Sequence, residues 1–149
     1  MDLPALFDQM PFSRLLGIEI LEAQEGRAVG ELELAAEHSS NPDRLIAHGG
    51  VTYALADTVG GAAAISANGN VTPTIDMRID YLAPATGGVL RAEAVVVRNG
   101  NSVASVVVEV TDDDGTEIAT ARGVYKSGGG DGGSAWVEEG SGPVSDRDE

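Results

Sequence analysis

The chain has 149 residues, 42% apolar and only 4% aromatic, which is enough for one folded unit with a core of small side chains and too short for two. Its 24 acidic residues face nine basic ones, eight Arg and the single Lys126, and the formal charge of -15 excludes nucleic acid and anionic membranes as partners, since both demand a positive footprint. The absence of cysteine excludes disulfides, thiolate catalysis and Cys-ligated zinc.

An acidic, Lys-poor surface suits concentrated salt, where at about 1 M ionic strength the Debye length is about 3 Å and self-repulsion is screened. The amino-terminal "MDLPALFDQMPF" has no cationic region before its apolar residues, so it does not read as a signal peptide. No uncharged apolar run reaches the roughly 18 to 20 residues that span a bilayer. A cytoplasmic, halophilic protein is the expectation.

In chain order, "PALFDQMPFSRLLG" reads as a broken amphipathic helix stopped at Gly17, a residue suited to a carboxyl-terminal cap. "IEILEAQEG" and "RAVGELELAAE" follow as strands, the second alternating Ala28, Gly30, Leu32 and Leu34 against Arg27, Val29, Glu31 and Glu33. After the loop "HSSNPDRLIA", one long helix is expected from about Gly50 to Ala67, stopped by "NGN". Its sequence is apolar or small on nearly every face, the mark of a buried helix. Gly60 and Gly61 each cost roughly 1 kcal/mol against Ala inside it, which predicts a close approach of sheet or partner-helix backbone.

Four strands complete the pattern. "TPTIDMRIDYLA" alternates Ile75, Met77, Ile79 and Tyr81 against Thr74, Asp76, Arg78 and Asp80. "VLRAEAVVVR" and "SVASVVVEVT" are Val-rich and joined at "NGN", where Asn99 and Gly100 suit a tight primed turn. The last hairpin turns at "DDDGT", which lacks the terminal Glu of a calcium loop and reads as a plain turn, and returns as "EIATARGVYK". Together these predict an α+β domain over residues 1–126, with a short amino-terminal helix and a curved, mostly antiparallel sheet of about six strands wrapped around one long central helix. Residues 127–149 hold seven Gly and six carboxylates and read as an acidic, flexible tail with Trp136 as its lone aromatic.

Chemistry concentrates in "HGGVTYALAD", residues 48–57. Gly49 and Gly50 place backbone N–H groups at a helix amino terminus, where the dipole adds roughly half a positive charge and a carbonyl can be polarised. Asp57 lies eight residues beyond Gly49, roughly 12 Å along a helix at 1.5 Å per residue. One carbonyl carbon cannot sit against both, so if they act together the Asp belongs to a second subunit whose helix runs antiparallel alongside. A satisfied structural acid is the other reading of Asp57. The two histidines and scattered carboxylates show no H-x-x-x-H spacing, so no metal site is expected.

The order of elements, "HGG" opening the central helix, "LAD" inside it and "IDYLAPA" after it resemble the PaaI-like branch of the hotdog-fold acyl-CoA thioesterases over about residues 11–126. The resemblance implies a hotdog fold, hydrolysis of an acyl-CoA to free acid and CoA, no cofactor beyond the coenzyme A of the substrate, and paired sites at the interface of a homodimer or a tetramer of two dimers. Carried over by position, Asn41, His48 and Gly49 come from one subunit, Asn41 bonding near the nucleophile or within its loop and His48 orienting the loop or contacting the thioester. Asp57 and Thr74 come from the other, Asp57 as base on water or as nucleophile and Thr74 with a hydroxyl that can hold the water. The chain departs from the pattern in the loop from Asn41 to His48, which is one residue longer and carries Pro42. It departs again at "RNGNS", where Asn101 stands in place of the cation that would meet the CoA phosphates. Arg98, with Arg78 and Arg91, is the substitute, against the plainer reading of solvated strand arginines. A non-catalytic acyl-CoA-binding module and, ranked lower, a hydratase on the same fold are the alternatives.

Overall fold

The computed structural model describes residues 2–128. Two short helices, α1 (Leu3–Asp8) and α2 (Pro11–Leu16), take the place of the single broken one. Pro11 opens α2, where a missing N–H is no loss, and Gly17 closes it in the left-handed region at φ 81°. Strands β1 (Ile18–Gln24) and β2 (Arg27–Glu33) form a hairpin. Its turn residues Glu25 and Gly26 both have positive φ, 49° and 81°, the primed geometry that matches strand twist. A 3-10 turn at Ala36–His38 and a loop lead to α3 (Gly49–Asn68), one residue longer at each end than expected. Strands β3 (Thr74–Tyr81), β4 (Val89–Asn99), β5 (Val103–Thr111) and β6 (Glu117–Lys126) follow.

The six strands form one sheet in the order β1-β2-β4-β5-β6-β3, and every neighbouring pair is antiparallel. This is the α+β arrangement that the residue pattern predicts. The helix lies against the inner face, where Leu55, Val59 and the run Ala62–Ala64 are fully covered by Leu32, Leu90, Val106 and Val108 of the strands. Burying each Leu or Val contributes about 1.5–3 kcal/mol, and the alanines let the helix sit close to the sheet.

Strict alternation fails at four places, one of them at Ile118 of β6, where the extra side chain is buried, and the other three on β1, β3 and β4. One extra residue enters β1 at Leu21, β3 at Ile75 and β4 at Val97, as the register shifts on either side of each show. All three side chains end up exposed, at 43%, 57% and 52%. Bulges of this kind add local twist and bend a sheet, which helps it curl around a single helix. At β3 the bulge also decides the site. Thr74 and Met77 are three apart and would face opposite ways in a regular strand, yet Thr74 pairs with Tyr125, and Met77 with Gly123, along the same inner face.

Three expectations are corrected. The turn between β4 and β5 is closed by the Gly100 N–H donating to the Val103 carbonyl at 2.9 Å, so Asn101 and Ser102 are its central residues and neither has positive φ. The extra residue at Val97 moves the register by one and takes Asn99 and Gly100 out of the turn. At Gly60, the neighbour that leaves no room for a Cβ is the Tyr125 side chain and not a backbone. On β3, Ile75 does not share the face of Met77, for the reason just given. Of the expected tail, Ser127 is buried, its hydroxyl donating to the Gly100 carbonyl at 2.6 Å. Residues 129–149, with Trp136, lie outside the described residues.

Candidate active site

The helix starts where its sequence has the least side chain. His48 is the N-cap, its ring Nδ1 accepting the Gly50 N–H at 2.8 Å and its carbonyl the Val51 N–H at 2.9 Å. Accepting at Nδ1 leaves the proton of a neutral imidazole on Nε2. The expected pair of open glycine donors is therefore one: Gly50 is occupied, while the Gly49 N–H has no partner among the described residues. It points from the positive end of the helix dipole. The Gly49 carbonyl is held from the other side by the Tyr81 hydroxyl, which donates to it at 2.7 Å. An open cleft of about 400 Å³ adjoins this end, lined by Gly49, Thr52, Tyr81, Leu82 and Pro84 among others.

Asp57 sits about two turns further along α3 and is only half-buried, not enclosed as the apolar run suggests. It lies with Tyr53, Ala54 and Thr58 on the stripe that the molecule's own sheet leaves partly open. Two hydroxyls converge on its Oδ1: Thr74 Oγ1 donates at 2.8 Å, and the Tyr125 phenol approaches to 3.1 Å while also lying 2.9 Å from the Asp57 carbonyl oxygen. Burial above all, and then the Asp57 charge and hydrogen bond, push the Tyr125 phenol far above its ordinary pKa, so it remains a protonated donor.

Tyr53, one turn before Asp57, donates to the Met77 carbonyl at 3.0 Å. Its pKa is raised, first by burial and then by the charges of Asp57 and Asp76. Tyr81 is raised by burial. All three tyrosines of the chain thus tie the first half of α3 or its carboxylate to the strands. None was assigned a site role from the sequence, although Tyr81 lies within the "IDYLAPA" stretch. The available signal was that Tyr125 falls in the inward phase of a strand whose other residues on that face, Ala119, Ala121 and Gly123, are small.

Asn41 and the arginines stand apart from this centre. The Asn41 Oδ1 accepts the backbone N–H groups of Asp43 at 2.8 Å and Arg44 at 3.2 Å, so within the protomer it builds its own loop. His38 is buried, taking the Ala35 N–H on Nδ1 at 3.0 Å and the His48 N–H on its carbonyl at 2.8 Å, and so fixes the residue just before the helix. Arg91 lies between Glu31 and Glu93 at 3.3 and 3.2 Å. Arg78 is exposed, 3.7 Å from Asp80 and opposite Arg122 across the β3–β6 pair. Arg98 is exposed near the β4–β5 turn. The "DDDG" stretch is a closed turn in which Asp112 Oδ1 accepts from the Asp114 and Thr116 N–H groups, each at 2.9 Å.

With this geometry in place, comparison with known proteins gives a consistent result. The family model described as the thioesterase superfamily matches residues 46–119, from just before α3 into β6. A relative from Halobacterium salinarum, provisionally named an esterase, is 33% identical over 127 residues, covering 74% of this chain and 80% of that protein. The medium/long-chain acyl-CoA thioesterase YigI of Salmonella typhimurium is 29% identical over 134 residues, 80% of this chain and 86% of its own. Among solved structures, a mutant of the phenylacetic acid degradation protein PaaI from Thermus thermophilus superposes with a TM-score of 0.72 at 31% identity, over 78% of this chain and 98% of that one. The chain belongs to the thioesterase superfamily, in its PaaI-like branch, with the hotdog fold of that group. It is a thioester hydrolase.

Proposed function

We propose that the protein hydrolyses acyl-CoA to the free acid and coenzyme A at a site shared between two copies of the chain, with Asp57 as the base. The observation that carries this reading is Asp57 itself, a carboxylate held by Thr74 on the one stripe of α3 that its own sheet leaves open. Beside that stripe, β3 ends the sheet with an edge unpaired among the described residues, and Ile75, Tyr81 and Leu82 are exposed along it. Joining two such edges lays the α3 helices antiparallel and brings Asp57 of one chain toward Gly49 of the other. The name of the YigI relative supports an acyl-CoA substrate.

In this reading the Gly49 N–H donates to the thioester carbonyl oxygen and holds the oxyanion. Asp57 takes a proton from water as the water oxygen bonds to the carbonyl carbon. The C–S bond then breaks, and the CoA thiolate leaves with the proton. Arg98 and Arg78 are the cations proposed for the CoA phosphates; Arg91 already faces two carboxylates. The charge of -15 supports work in concentrated salt.

Asp57→Asn tests the reading on a panel of acyl-CoA esters, with a thiol reagent in molar salt. Turnover falls about 100- to 10,000-fold, the range for loss of a general base, while light scattering still reports a dimer. Near wild-type turnover, or full activity in a monomer, overturns it.

A further inference from the structure

Asp57 has two carboxylate oxygens, and the fold treats them differently. Thr74 and Tyr125 face each other directly across the β3–β6 pair and both aim hydroxyls at Oδ1. We infer that Tyr125 is a positioning residue for Asp57, that it and Thr74 together commit Oδ1, and that Oδ2 is left as the oxygen that accepts the proton. This rests on the reading of Asp57 as base.

The surroundings of Tyr125 are shaped for that task. Its side chain is 1% exposed, and three glycines flank the ring. A Cβ at Gly60 would collide with the phenol oxygen, and one at Gly123 would come within 2.7 Å of ring carbon Cε2 and 2.8 Å of the Met77 methyl. A Cβ at Gly61 would only touch the ring, at 3.5 Å. Helix propensity alone would favour Ala at position 60, so the glycine there makes room first of all for the Tyr125 oxygen, with the ring Cζ at 3.2 Å and a Val108 methyl at 3.4 Å from the same point. A tyrosine serving only to fill the core would be replaceable by Phe and would leave position 60 free for Ala. This one reaches through the gap to the carboxylate.

A phenol has a single hydrogen, shared here between the Asp57 carbonyl oxygen at 2.9 Å and Oδ1 at 3.1 Å. The carbonyl has a second suitor in the amide one helical turn on, which is the ordinary partner of that group. The carboxylate does not, and without the phenol it keeps only Thr74 among the described residues.

Tyr125→Phe removes the hydroxyl and keeps the ring. The expected result is a kcat at least about tenfold lower, as for a hydrogen bond to a charged group, with KM within about twofold and the thermal midpoint held. Unchanged kcat in Tyr125→Phe, alongside an inactive Asp57→Asn, overturns this inference and leaves the proposed function standing. An active Asp57→Asn overturns both. A loss spread over kcat, KM and thermal midpoint assigns Tyr125 to packing and also overturns it. Gly60→Ala supplies the second readout: it lowers the thermal midpoint of the wild-type chain and does so much less in combination with Tyr125→Phe, where the colliding atom is gone. Equal effects in the two backgrounds mean that Gly60 does not serve the hydroxyl, and overturn the inference as well.

Discussion

At the Gly49 end of α3 the proposed reactive group is backbone, exposed by the absence of side chains and set by a histidine cap and a tyrosine tether. At the Asp57 end it is a side chain on a helix turn, aimed by two hydroxyls from neighbouring strands. The first depends on where the helix begins, the second on how β3 and β6 are registered against it. Because different elements set them, each half can be damaged without disturbing the other, and the pair can be tested by recombining damaged chains.

After Asp57→Asn, the largest expected effect comes from Gly49→Pro. Proline is favoured at the first helical position, and His48 already has the extended geometry, φ -59° and ψ 136°, that a residue before proline requires. The change therefore removes one N–H from a helix that can still form, although the Tyr81 hydroxyl, 3.0 Å from an added Cβ, must give slightly. Activity drops about 100- to 1,000-fold, as for loss of an oxyanion donor. Refolding this variant together with Asp57→Asn restores about a quarter of wild-type activity, since half of the random dimers are mixed and each has one undamaged site. If mixing two inactive parents restores nothing, the halves are not shared between chains.

Thr74→Val comes next and acts only on the carboxylate end. Losing a donor to a charged oxygen costs about 1.5–3 kcal/mol, tenfold or more in kcat; a rate within twofold of wild type would mean that Thr74 does not hold Asp57 during turnover. Tyr81→Phe is the mildest and acts only at the other end. It removes a neutral hydrogen bond to the Gly49 carbonyl, worth about 1 kcal/mol or fivefold at most, and a larger loss would show that the tether sets the Gly49 N–H more strictly than the N-cap does.

Much of this architecture was legible in the residues. The small-residue run ending in "NGN" located α3 to within one residue at each end, and Gly17 and the Val-rich runs placed the end of the first helical segment, though not its division in two, and the later strands. The separation of Gly49 from Asp57 followed from helical rise alone. What escaped were features that depend on register between distant segments. Alternation assigned Thr74 to the outer face of β3, and only the extra residue at Ile75 turns it inward. Gly60 showed that something comes close to the helix, but its occupant is 65 positions away on β6. Gly50 read as an open donor because composition does not reveal that His48 folds back onto it.

The bulge at Ile75 makes the aim of the Thr74 hydroxyl a matter of counting. Deleting any one residue between Thr74 and Met77 would restore perfect alternation, and by ordinary strand rules would look like a repair. Thr74 and Met77 would then stand two apart, and the hydroxyl would still face inward, toward the carboxylate. What would turn it outward is keeping the present spacing while losing the bulge, so relatives that keep the reaction should carry either this spacing with the bulge or a spacing one residue shorter without it.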